Sequence, residues 1–356
     1  LILKKEYHTP AGIAIAAGFC YARKKRKGVR SMEKLKILVL SSPVTDALNG
    51  DGAGALACRE RFPDLEWRFL PSYECTEADV CSADVITGHP RPQWLKNASR
   101  LRWLHLQSAG VNGYERRELY AREDVLVTRA AGVHAPAMAE HALAMALSLT
   151  RKLPELYARQ QEGRWAPVHA RRELHGADVL MLGTGYLAAA ITPLLKPFGC
   201  RITGLRRDVA KPLPPDYDRM LPPERLHEAL SEADYVFSTL PFTEKTRHLL
   251  DREAIAAMKP GAILVNIGRG GTVDHEALLE ALRTGRLGGA GLDVTEPEPL
   301  PEGHPLWQAP NTIITPHCSA WSEATDKRRY ETFLRLLGLY LEGKPLPGRI
   351  DFDAGY

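Results

Sequence analysis

The sequence predicts an α/β protein with two parallel-sheet units, and three observations carry that expectation. Strand-like and helix-like stretches alternate from Leu35 onward, the apolar run 178–182 breaks into Gly183-Thr184-Gly185 before a helical pattern, and a second alternating series continues to Thr315. At 356 residues the chain can hold two domains of ordinary size, each with its own core.

In the first series, 36–40, 67–70, 84–87 and 101–107 read as strands, with helical segments around Leu56, Glu77 and Trp94. The last of these strands runs into Ser108-Ala109-Gly110, small residues whose backbone N–H groups can hold a carboxylate. Another strand, 125–128, precedes Gly132-Val133-His134-Ala135-Pro136. A long helix is then expected over 137–161, apolar on most faces as far as Leu149, which suggests burial between two units. Glu140 and His141 lie within it and read as a capped carboxylate and a packed histidine.

Residues 178–182 read as a buried parallel strand because the run is short and does not alternate, and 187–198 carries apolar residues at helical spacing. Gly183 permits the tight turn between them, and Gly185 lets the backbone approach a pyrophosphate. Ala188, in the place of a third glycine, still allows close packing of helix on strand. The helix N-terminus then offers free N–H groups and a positive dipole end to phosphates. The stretch Gly183-Thr184-Gly185-Tyr186-Leu187 is thus a dinucleotide cradle. The next strand, 201–205, ends in Arg206-Arg207, where an acidic residue would accept hydrogen bonds from the ribose diol of NAD. None stands there before Asp208, and a guanidinium pairs instead with the 2′-phosphate of NADP. NADP is the expected cofactor, with NAD as second choice.

The second series completes the unit. Strand 235–240 leads into Pro241, strand 262–267 into Gly268-Arg269-Gly270-Gly271, a helix covers 274–287, and strands 289–294 and 312–315 follow, the last before Pro316-His317. In an open parallel sheet all carboxyl ends lie on one edge, where ligands bind. Arg269, Asp293 with Glu298 just beyond it, and His317 therefore converge there. Singly, each has a plain structural explanation as a glycine turn, a strand-end cap, a solvated loop or a packed histidine. Together, beside a cradle, they indicate chemistry. The positions expected to face the cofactor are Gly183, Thr184, Gly185, Tyr186, Leu187, Arg206, Arg207, Leu240, Pro241, Thr246, Ile267, Gly268, Asp293 and His317.

Asn266-Ile267-Gly268-Arg269-Gly270, Gly291-Leu292-Asp293-Val294-Thr295-Glu296-Pro297-Glu298-Pro299, His304-Pro305-Leu306-Trp307 with Pro310-Asn311, and Thr315-Pro316-His317 resemble the signatures of the D-isomer-specific 2-hydroxyacid dehydrogenases. The likeness runs in order from about Leu35 to the end. It implies a Rossmann dinucleotide-binding domain, 133–318, inserted in a discontinuous flavodoxin-like substrate domain, 32–132 and 319–356. It also implies a homodimer, and a site in which Arg269 binds and polarises a 2-oxo acid, His317 is the acid/base and Glu298 pairs with it. Asp293 resembles the aspartate that supports the site, and Ser108-Ala109-Gly110 the backbone clamp for the substrate carboxylate. Arg206 and Ala188 depart from the common pattern, as do Cys318 and Trp321 beyond the histidine. NADPH use and a short chain resemble the glyoxylate/hydroxypyruvate reductase branch. With the chain closing at Tyr356, no appended regulatory domain is expected.

The chemistry requires these residue types on its own terms. Hydride delivery to C2 of a 2-oxo acid makes negative charge grow on the carbonyl oxygen, which a proton donor must meet. Histidine suits that role, and an adjacent carboxylate favours its charged form. A planar guanidinium holds carboxylate and carbonyl oxygens in a fixed fork and stabilises the developing alkoxide. The alternative is a dinucleotide-sensing, corepressor-like binding protein with little turnover, for which partner-docking extensions would be expected.

The formal charge of +4 belongs to the start of the chain: residues 1–31 carry eight Lys/Arg against one Glu, and the remainder sums to about −3. No basic, aromatic-interleaved surface argues for nucleic acid. The apolar run 11–19 is too short to span a bilayer and is followed by the basic run 23–27, so 1–31 reads as a tail outside the fold and no membrane partner is expected. Six scattered cysteines without C-x-x-C pairs suggest neither zinc nor a disulfide framework, and no metal is expected. A cytoplasmic enzyme fits.

Overall fold

The computed structural model describes residues 34–41, 50, 52–169 and 172–352, so the expectation for residues 1–31 lies outside the described residues. Strands β1 (Lys36–Ser41), β2 (Glu66–Pro71), β3 (Val85–Thr87), β4 (Trp103–Leu106) and β5 (Leu126–Arg129) form one parallel sheet in the order β2-β1-β3-β4-β5. Helices α1 (Ala53–Arg61) and α2 (Glu77–Ser82) belong to the crossovers of this unit. The strand order reverses between β1 and β3, as in flavodoxin-like sheets.

Helix α3 (Ala135–Thr150) leads away from this sheet, and α4 (Leu153–Gln161) follows it. The single helix expected over 137–161 is therefore two. Lys152 sits in the left-handed region at φ 57° and Pro154 lies in the first turn of α4. Proline has no N–H to give to the preceding turn and its ring crowds the carbonyl four residues back, so a helix restarts there and does not continue. The apolar face of α3 ends at the same place: α4 buries none of its residues.

Seven parallel strands make the second sheet: β6 (Asp178–Leu182), β7 (Arg201–Leu205), β8 (Arg219–Leu221), β9 (Tyr235–Ser238), β10 (Ile263–Asn266), β11 (Gly289–Leu292) and β12 (Thr312–Ile314). Their order is β12-β11-β10-β9-β6-β7-β8, with the reversal between β6 and β9 that defines a Rossmann crevice. Side-chain alternation divides the core. Val179, Met181 and Val265 pack under α3 and α5 (Tyr186–Leu195) through Ala139, Ala142, Met145, Ile191 and Leu195. Leu180, Leu182 and Leu264 pack on the other face among residues of α6 (Leu226–Glu232), α7 (Arg252–Ala257) and α8 (His275–Arg283). α3 lies so close that a Cβ on Gly291 would stand 3.0 Å from Met145.

The sequence pattern did not separate β8, α6 and α7, each seven residues or shorter. The helix expected over 274–287 stops at Arg283 because Gly285 takes φ +71° and turns the chain. Helix α9 (Glu323–Leu341) starts at Ser322, whose hydroxyl accepts from the Thr325 N–H at 3.1 Å, and returns to the first sheet. Phe333, Leu336 and Leu337 pack there on Ile37, Val39, Val85 and Trp103. The first unit is discontinuous because its core is closed by the far end of the chain. No helix among the described residues is long and apolar enough to cross a membrane.

Candidate active site

Strand register assembles the edge. Asn266 pairs with Leu292 and Leu292 with Ile314, so the residues just past these positions, Ile267, Asp293 and Thr315, emerge side by side, with Arg269 two residues beyond Ile267. At the neighbouring crevice Gly183 leaves β6 at φ +90°, and a Cβ on it would stand 2.9 Å from Thr239 Oγ1. Gly268 is equally constrained, since a Cβ would stand 2.6 Å from the Leu240 carbonyl oxygen. Gly185 differs. It is the N-cap of α5 without a side-chain cap, and a Cβ there would meet nothing within 4 Å. Open space in front of uncapped helix N–H groups fits a pyrophosphate.

The other residues expected at the cofactor have varied settings. Tyr186 opens α5, 62% exposed, with its ring beside Gly132 in the connection between the two sheets. Thr184 and Leu187 are half-buried beside it. Ile267 is buried in the core, so only its backbone can serve a ligand. The Thr246 hydroxyl donates to the Pro241 carbonyl at 2.7 Å and accepts from the Thr243 N–H at 2.8 Å, which shapes the turn between them. Arg206 and Arg207 follow β7 as expected. Nη2 of Arg206 donates to the Lys211 and Pro212 carbonyls and braces the loop, while Asp208 pairs with Lys211 at 3.5 Å.

On the facing unit, the three residues after Gln107 have their carbonyls taken by protein donors. The Ala130 N–H meets the Ser108 oxygen at 3.0 Å, Arg129 Nη1 meets that of Ala109 at 2.9 Å, and the Ser108 hydroxyl meets that of Gly110 at 2.6 Å. His89 Nε2 lies 2.9 Å from the same hydroxyl. Because that hydroxyl proton goes to Gly110, His89 is the donor in this pair. Arg269 reaches this segment from the second unit: a Cβ on Gly110 would overlap its Nη2. Nη1 of Arg269 donates to the Gly268 carbonyl at 2.8 Å. Burial lowers the Arg269 pKa from its ordinary value, and Glu298 opposes the shift.

His317 Nδ1 stands 2.5 Å from Glu298 Oε1, both side chains being partly open to solvent. The backbone of His317 is left-handed at φ 50°, held by its N–H donating to the Asp293 carbonyl at 2.9 Å. Asp293 itself does not reach the open site. Its carboxylate is enclosed and accepts from Thr315 Oγ1 at 2.6 Å, the Cys318 N–H at 3.0 Å, the Ser319 N–H at 3.2 Å and Ser319 Oγ at 2.5 Å. The sequence reading missed Thr315 and Ser319 as its partners, and missed that His141 of α3 reaches Thr315 Oγ1 at 3.0 Å. Nothing local could reveal that last contact, which joins residues 174 positions apart.

A histidine–carboxylate pair and a half-buried guanidinium lie at the same sheet edge as the glycine turns of the crevice. They place the protein in the class of Rossmann-type oxidoreductases. A family model described as the NAD binding domain of D-isomer specific 2-hydroxyacid dehydrogenase matches residues 143–319. The glyoxylate/hydroxypyruvate reductase B of Pectobacterium carotovorum subsp. carotovorum (strain PC1) is 35% identical over 279 residues, 76% of this chain and 82% of that protein. A D-isomer specific 2-hydroxyacid dehydrogenase family protein from Aeromonas salmonicida superposes with a TM-score of 0.77 at 33% identity, covering 90% of this chain and 100% of its own. A D-isomer specific 2-hydroxyacid dehydrogenase from Xanthobacter autotrophicus Py2, solved with NADPH and MES, superposes with a TM-score of 0.74 at 28% identity, covering 90% and 99%. The chain belongs to the D-isomer specific 2-hydroxyacid dehydrogenase family.

Proposed function

We propose that the protein reduces a small 2-oxo acid of the glyoxylate or hydroxypyruvate type to the D-2-hydroxy acid, with NADPH as the preferred cofactor. The observation that carries this reading is the 2.5 Å contact of His317 Nδ1 with Glu298. With Nδ1 tied to a carboxylate, Nε2 is the ring atom free to carry the transferable proton. The bound dinucleotide supplies the hydride. Arg269 holds the carboxylate and carbonyl oxygens of the substrate and offsets the charge that develops on the latter. The Ala109 and Gly110 amides bind the substrate carboxylate, their carbonyls being engaged elsewhere. Gly183 and Gly185 admit the pyrophosphate to the N-terminus of α5, and His317 Nε2 delivers the proton.

NADPH preference is supported by the two arginines after β7 and by the engagement of Asp208 with Lys211. The substrate class is supported by the name of the Pectobacterium relative. We assign 32–132 with 319–356 to the substrate domain and 133–318 to the dinucleotide domain, in line with the return of α9 to the first sheet. A homodimer is supported by exposed Leu153, Tyr157 and Trp165 on and beyond α4. Cytoplasmic placement is supported by Cys58, Cys75, Cys81, Cys200 and Cys318, all unpaired. The binding-protein alternative is the weaker one, because the pairing of His317 with Glu298 and the approach of Arg269 to Gly110 support turnover. Mixing purified protein with NADPH and glyoxylate or hydroxypyruvate, and following the dihydronicotinamide absorbance, tests the reading. Tight NADPH binding without turnover of either acid would overturn it.

A further inference from the structure

We propose that His141 is a positioning residue for the reaction, acting on His317 through Thr315 and Asp293. This inference rests on the reading of His317 as the proton donor.

The hydrogen-bond directions are fixed by counting protons. Thr315 has one hydroxyl proton and stands 2.6 Å from Asp293 Oδ1, a carboxylate oxygen that can only accept. The proton therefore points at Asp293. His141 Nε2, 3.0 Å from the same hydroxyl oxygen, must then be the donor, which sets the imidazole with its proton on Nε2. His141 Nε2 also lies 3.9 Å from Asp293 Oδ1, close enough for its polarity to act on the carboxylate directly.

Asp293 is the hub that holds the turn carrying the acid/base. Its carboxylate takes the N–H groups of Cys318 and Ser319 and the Ser319 hydroxyl, and its carbonyl takes the N–H of His317. That turn needs holding, because His317 is a non-glycine residue at φ 50°, a conformation sustained only when its surroundings over-determine it. His141 is carried by α3, which packs tightly on β11, so its ring is referenced to the rigid centre of the dinucleotide unit. The chain His141, Thr315, Asp293, His317 thus ties the acid/base to the framework that holds the cofactor cradle. A misplacement of about 1 Å at a reacting group can cost on the order of a hundredfold in rate.

The test is a rescue series with a coupling measurement. His141→Leu removes the donor at similar volume and is expected to lower kcat for 2-oxo acid reduction by about tenfold to a hundredfold, with the KM for NADPH unchanged. His141→Gln, whose amide N–H can reach the same oxygen, is expected to restore most of it. Thr315→Val breaks the link, so adding His141→Leu to it should cause little further loss. Parental kcat in His141→Leu, no recovery in His141→Gln, or multiplicative losses in the double variant would each overturn the proposal. An imidazole ¹⁵N spectrum reads the link without turnover: the Nε2–H form of His141 should be seen in the parent and the His317 signals should shift in His141→Leu. If the spectra behave so but His317→Ala keeps parental turnover, the reading of His317 as proton donor fails while the positional link stands. If the spectra show His141 protonated only on Nδ1, the link itself fails.

Discussion

Nη2 of Arg269 occupies the space that a Cβ on Gly110 would need. The two residues come from different sheets, one from the end of β4 and the other from the end of β10, so their contact joins the two units at the site. It places a guanidinium beside a backbone segment whose carbonyls are all engaged by protein donors. A carboxylate laid there meets charge from one side and amide N–H groups from the other.

Gly110→Ala should therefore displace the Arg269 head. We expect kcat/KM for the 2-oxo acid to fall by about tenfold to a hundredfold, while NADPH affinity, set at the glycine turn that opens α5, is unchanged. Steady-state kinetics with a direct cofactor titration check this. Equal weakening of acid and cofactor would mean that the substitution had disturbed the fold.

The 2′-phosphate assignment has its own signature. Arg206→Asp should weaken NADPH at least about tenfold more than NADH, since a charge-assisted hydrogen bond to phosphate contributes about 1.5–3 kcal/mol. Nη2 of Arg206 also braces the Lys211 and Pro212 carbonyls, so a modest loss common to both cofactors is expected as well. Dissociation constants for the two cofactors decide it: equal losses would sink the assignment.

How much of this was readable beforehand depends on whether each feature was local. Gly183, Gly185, Arg269, Glu298 and His317 follow strands whose short apolar runs mark them, and the parallel topology then puts their positions on one edge. The break between α3 and α4 is marked in the sequence by Pro154, just past Leu149, where the apolar faces of α3 end. β8 and α6 are short and lie near a proline-rich stretch, where neither period has room to show. The sequence neighbours of His141 are those of a core helix and imply only a packed histidine. Its partner, Thr315, becomes visible only once α3 lies across β11 and β12.

Acid should destabilise the protein in a defined window. Burial, with smaller contributions from His89 and Arg335, lowers the His105 pKa from 6.5 to about 3; burial and Arg329 lower that of His134 to about 4. His105 is 1% exposed and His134 6%. Both rings are neutral in the folded protein at pH values where the unfolded chain already binds a proton. The sign follows: stability is intact above about pH 6.5 and falls as pH drops from there toward 4, by up to about 1.4 kcal/mol per pH unit for each group. Urea melts across this range should show the decline, and His105→Gln with His134→Gln should flatten it. A parental slope in the double variant would assign the decline to other groups.

The last expectation concerns the acid/base pair. His317→Ala removes the proton donor and leaves the cradle, so turnover should fall by roughly 10²–10⁴-fold with NADPH affinity nearly intact. Glu298→Gln is the more discriminating change. Its amide oxygen can still accept from Nδ1–H, so the 2.5 Å contact survives in outline while the negative charge is gone. Reduction draws its proton from His317 and oxidation of the hydroxy acid returns one to it, so both directions pass through the same charged ring facing Glu298. Glu298→Gln should therefore lower kcat/KM in the two directions by the same factor, because at one pH their ratio is the equilibrium constant of the reaction. General damage to the fold lowers the melting temperature as well, so a shared loss at the parental melting temperature identifies the pair. If Glu298→Gln keeps parental turnover in both directions, the charge of Glu298 has no part in the proton transfer.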